Sequence, residues 1–128
     1  MSELTSNVNW LAVILGTLIS FLIGWLWYSP ILFGKKWAEG SGVELASASS
    51  MPIAAMITQF VSTFFLALLV GITAAQNALA TIILVVLTVA GFVMSTGLFV
   101  RKTNFAIAVD GSFIVIMGVV MVIIQGIF

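Results

Sequence analysis

The sequence contains no cysteine and no histidine, and only 6% of its 128 residues are charged. Without cysteine, the chain can form neither a disulfide framework nor a thiolate metal site. Without histidine, it lacks a common ligand of haem and zinc and the usual proton shuttle near neutral pH. A net charge of zero gives no indication of a nucleic-acid partner. We therefore expect no metal, no cofactor and no nucleic acid and, for want of a nucleophile and base, no enzyme activity.

What the chain has instead is long hydrophobic stretches, and 62% of its residues are hydrophobic. A helix needs about 20 apolar residues to cross the roughly 30 Å core of a bilayer. Such runs occur four times, and they are continuous, whereas membrane strands alternate apolar and polar residues. We predict one domain over residues 1–128, an all-α integral membrane protein built as a four-transmembrane-helix bundle, with helices at about 8–28, 53–75, 78–100 and 105–128.

The basic residues predict an orientation for these helices. All four lie in two loops, Lys35 and Lys36 after the first helix and Arg101 and Lys102 after the third. The positive-inside rule then places both loops in the cytoplasm and both termini on the non-cytoplasmic side.

The longest connection is the predicted cytoplasmic loop 30–52. Its first part interleaves apolar residues, Trp37 among them, with the two lysines, which is typical of a segment lying in the headgroup region. Residues 39–50 are rich in glycine, serine and alanine and predict a flexible connector. Pro52 suits the first turn of the second helix, where its missing N–H costs nothing.

Small residues recur every four positions along the first helix. This spacing allows two helix backbones to approach closely. Either a second subunit or another helix of the same chain could occupy that face, and we favour the same chain. The positions are Ala12, Gly16, Ser20 and Gly24, and a weaker stripe of Thr63, Ala67 and Gly71 follows on the second helix.

Asp110 is the one charged residue inside an apolar run. An unpaired carboxylate there costs up to a few kcal/mol, so it is expected to face protein or water. One interpretation is a polar layer at about the same depth, formed with Tyr28, Gln59, Ser62 and either Ser95 or Thr96. The other is an ion pair with Arg101 or Lys102, which we favour.

Two segments resemble a known family. Residues 9–13 read Asn-Trp-Leu-Ala-Val, and residues 27–37 read Trp-Tyr-Ser-Pro-Ile-Leu-Phe-Gly-Lys-Lys-Trp. Together they are similar to the opening signature of the small bacterial membrane proteins catalogued as domain of unknown function 1761. The resemblance implies about four helices, a bacterial inner-membrane location and no assigned activity. Asp110 matches the acidic residue that the family carries early in its last helix.

These features predict a structural or accessory membrane protein that acts through helix packing. Its partners would be the lipid bilayer and either further copies of itself or a larger membrane complex. The alternative is a small oligomeric transporter or channel that uses the polar layer around Asp110.

Overall fold

The computed structural model describes residues 7–43 and 53–128, and these residues form five helices joined by turns. The predicted connector beyond Val43 and the role of Pro52 fall outside them. Four of the helices are long and apolar enough to cross a membrane, which confirms the all-α membrane class. The helices are α1 (Trp10–Trp27), α2 (Gly34–Ser41), α3 (Ile53–Ala75), α4 (Leu79–Phe99) and α5 (Asn104–Ile127).

The short helix α2 lies inside the segment that was predicted to be a loop. Residues 39–41, assigned to the flexible connector, are helical and complete its last turn. Ala38 and Gly40 are buried, and Gly40 faces Thr103 and Ala106 at the start of α5. Packing against α5 therefore stabilises an eight-residue helix that would be marginal alone.

Three helix ends share one backbone motif. At the ends of α2, α3 and α4 the chain enters the left-handed region at Gly42, Asn77 and Arg101, with φ of 72°, 55° and 62°. The next residue donates back to the last turn, as when the Lys102 N–H bonds to the Gly97 carbonyl at 3.0 Å. This is the Schellman motif, and glycine is its usual residue. Here only α2 uses glycine.

Helix α5 is the centre of the molecule. Half of an 18-residue apolar stretch of α5 is buried, against 17–28% of the corresponding stretches of the other long helices. The reason is that α1, α2, α3 and α4 all pack on α5. The small-residue stripe of α1 faces this centre. A Cβ atom on Gly24 would come within 2.7 Å of the Phe113 ring, and one on Gly16 would contact Met121 and Ala67. The stripe therefore packs against helices of the same chain.

The two basic loops lie at the same end of the molecule. The Thr103 N–H, at the start of α5, donates to the Gly40 carbonyl in α2 at 2.9 Å. At the opposite end, Val8 and Gln125 both lie beside Gly71 of α3. The described chain ends are thus close together and far from the basic loops.

Candidate functional site

Asp110 lies buried in α5, and its carboxylate is held by three side chains. Oδ1 accepts hydrogen bonds from the Tyr28 hydroxyl at 2.6 Å and from Trp37 Nε1 at 2.9 Å. Oδ2 forms an ion pair with Lys102 Nζ at 2.9 Å. We call these four residues the Asp110 cluster. Since it joins α1, α2, α5 and the loop between α4 and α5, it ties together one end of the molecule.

The turn between α1 and α2 positions two of the three donors. α1 ends at Trp27, and the chain then reverses so that the Phe33 N–H bonds to the Trp27 carbonyl at 3.2 Å. The Gly34 N–H donates to the Ser29 carbonyl oxygen at 2.9 Å. A Cβ atom on Gly34 would lie 2.7 Å from that carbonyl carbon, so only glycine fits. One turn later, α2 presents Trp37 to Asp110.

Aromatic packing encloses the cluster. The Tyr28 ring makes edge contacts with Trp37 and Phe113, with centroids 5.0 and 5.5 Å apart. Trp27 adds a hydrogen bond from Nε1 to the Val109 carbonyl at 3.1 Å. The aromatic residues of segment 27–37 therefore bind the helix that carries Asp110, rather than serving only as interface anchors.

The ion pair expected with Arg101 or Lys102 forms with Lys102. Arg101 occupies the left-handed position after α4 and is exposed, whereas the next residue turns back toward α5. Lys102 Nζ also lies 5.4 Å from the Trp37 ring centroid, within cation–π range. Lys35 and Lys36 are exposed on α2, and Lys36 lies over the Phe105 ring at 4.5 Å.

A cavity of about 450 Å³ lies beside the cluster. Of the predicted polar layer, Asp110, Tyr28 and Gln59 line this cavity, together with Lys102 and Trp37. The remaining members do not line it, so the layer forms only in part; these are Ser62, Ser95 and Thr96.

Helix rotation explains why two of these three residues do not join the polar layer. Ser62 and Thr96 are exposed, and the Thr96 hydroxyl donates to the carbonyl of Phe92 in its own helix at 2.9 Å. Depth along a helix can be counted from the sequence, but the face that packs inward cannot. The sequence placed Trp37 in the headgroup region, but in the structure its half-buried indole N–H donates to Asp110. An indole N–H usually needs an acceptor when it is buried, and that need was the available signal in the sequence.

The long apolar helices, tied at one end by a buried carboxylate, define a polytopic membrane protein. The chain belongs to the family described as Protein of unknown function (DUF1761), whose model matches residues 11–126. The match includes every residue of the Asp110 cluster. No curated protein and no solved structure matches the chain.

Proposed function

We propose that this protein is a structural or accessory component of a membrane, acting as a homo-oligomer or as a subunit of a larger complex. One observation supports a structural role for Asp110. Both carboxylate oxygens are occupied by donors from the same chain, namely Tyr28, Trp37 and Lys102. A carboxylate in this state stabilises the helix arrangement and has little remaining capacity to bind a transported ion.

The proposal includes an orientation and a membrane. The end that carries Lys35, Lys36 and Arg101 faces the cytoplasm, because short cytoplasmic loops carry the excess of basic residues. The family resemblance favours a bacterial inner membrane. An enzymatic role is not proposed, because the sequence has no histidine or cysteine to act as base or nucleophile.

A double-mutant cycle on the ion pair tests the structural role. Asp110→Asn keeps an acceptor for Tyr28 and Trp37 but loses the charge attraction to Lys102. We expect the free energy of unfolding in detergent to fall by about 1.5–3 kcal/mol, the range for hydrogen bonds to charged groups. Lys102→Met should cost a similar amount, and the double variant should cost less than the sum of the two.

Arg101→Met is the matched control for this cycle. It removes the neighbouring positive charge, which is exposed and does not reach Asp110, so stability should change by less than about 0.5 kcal/mol. Additive effects of Asp110→Asn and Lys102→Met would contradict the structural role.

The cavity favours a second candidate, a small transporter or channel. Asp110, Tyr28 and Gln59 all line it and could offer polar groups to a solute. In that case Asp110→Asn would leave the melting temperature unchanged and abolish a pH-dependent flux in proteoliposomes. Loss of stability without such a flux favours the accessory role.

A further inference from the structure

We propose that the cavity beside the Asp110 cluster binds an uncharged, lipid-soluble molecule whose polar end is a carbonyl group. This binding site is independent of the accessory role, because it depends on the cavity and not on subunit contacts.

The residues that line the cavity favour a ligand whose main part is apolar and flat. Its volume of about 450 Å³ falls within the range of roughly 300–1,000 Å³ that is usual for small-molecule sites. Most of the lining is apolar, and rings from three helices and a turn contribute to it. The aromatic members are Phe21, Trp25, Tyr28, Trp37 and Phe113.

The charges at the cavity exclude a charged ligand. Lys102 and Asp110 both line it, and they neutralise each other across 2.9 Å. An anion approaching Lys102 would be repelled by Asp110, and a cation approaching Asp110 would be repelled by Lys102. An uncharged ligand meets neither penalty.

Hydrogen-bond donors remain for a carbonyl oxygen. The Lys102 ammonium has three N–H groups, and within residues 7–43 and 53–128 its side chain donates only to Asp110. Gln59 adds an amide at the same cavity. A carbonyl oxygen can accept from either group while the ion pair stays intact.

The cavity can be reached from the bilayer. Trp25, Ala55 and Gln59 line it and are also exposed, and all three belong to membrane-spanning helices. A molecule dissolved in lipid can therefore enter sideways, between α1 and α3.

Three ligands with the same ten-carbon chain test the proposal. Calorimetric titration of the full-length protein in lipid nanodiscs, corrected with empty nanodiscs, compares 2-decyl-1,4-benzoquinone, decanoate and decyltrimethylammonium. We expect saturable binding of the uncharged quinone and at least roughly tenfold weaker binding of the two charged ligands. The quinone loses roughly tenfold or more in affinity with Lys102→Met, as expected for a hydrogen bond to a charged group.

A matched pair of variants locates the site. Ala55→Phe places a ring in the cavity and should abolish quinone binding, whereas Ala54→Phe adds the same ring at an exposed position outside the cavity and should leave the affinity unchanged. Val93→Trp fills the cavity from α4 if the first variant does not fold. Equal quinone affinity in the folded filling variant and the Ala54→Phe control would overturn the proposal, as would tighter binding of decanoate or decyltrimethylammonium.

Discussion

Gly34 and Asp110 are two positions where a single residue type determines the local structure. Asp110 supplies the acceptor for three donors, two of which lie more than 70 positions away in the sequence. Gly34 is required because it has no side chain: backbone atoms of Tyr28 and Ser29 occupy the space where a Cβ atom would lie. The two residues act together, because the turn at Gly34 brings Trp37 to the Asp110 carboxylate.

Gly34→Ala should therefore be strongly destabilising. The added methyl group would meet backbone atoms, which cannot move aside as the end of a flexible side chain can. We expect a loss of about 3 kcal/mol or more in the free energy of unfolding, at or above the upper end of what single substitutions usually cost. Thermal unfolding in detergent measures this loss.

Gly91→Ala is the control for that substitution. Gly91 lies within α4, and a Cβ atom there would meet nothing within 4 Å. Alanine is the better helix former by about 1 kcal/mol, so this variant should keep or gain stability. Equal effects of the two substitutions would show that the turn tolerates a side chain.

At the scale of helices, the long apolar spans could be predicted from the sequence and the short helix α2 could not. Long apolar runs predicted four helices, because the thickness of a bilayer fixes how many apolar residues are needed. The short helix α2 was missed because its eight residues include Gly34 and Gly40, which disfavour a helix in isolation. Its stability comes from packing against α5, and no local pattern records that contact.

Arg101→Gly tests the helix end that positions Lys102. A non-glycine residue in the left-handed region costs roughly 1–2 kcal/mol, and glycine removes that cost. We expect the melting temperature to rise, provided that Lys102 keeps its ion pair. Asn77→Gly is the comparison, and it should give a smaller rise because asparagine tolerates this conformation. A fall in stability with Arg101→Gly would mean that the arginine side chain itself contributes.

At the scale of the whole molecule, charge and packing divide the two ends. The Asp110 cluster and the basic loops occupy one end, and the described chain ends meet at the other. The sequence predicted the depth of Asp110 and an ion pair with a nearby basic residue. It could not predict that Gln59 would face the cavity and Ser62 would not, because the rotation of each helix is set by its neighbours.

Cysteine labelling tests the orientation. The chain has no cysteine, so single variants at exposed positions report accessibility directly. In intact cells, a membrane-impermeant thiol reagent should label Asn7→Cys and Phe128→Cys but not Val43→Cys, which follows α2. After the membrane is permeabilised, Val43→Cys should become labelled. The opposite pattern in intact cells would reverse the proposed topology.

The hydrogen bond between Tyr28 and Asp110 spans 82 residues of sequence, and this separation has a consequence for biosynthesis. At a translation rate of about 5–20 residues per second, Tyr28 is made about 4 to 16 s before its acceptor exists. Trp37 follows Tyr28 closely in the sequence, so for most of that interval the nascent chain carries both donors without Asp110. The helix α5 must therefore be synthesised before the earlier helices can reach their final arrangement. Insertion of the last helix thus completes the assembly of the first helix, α1.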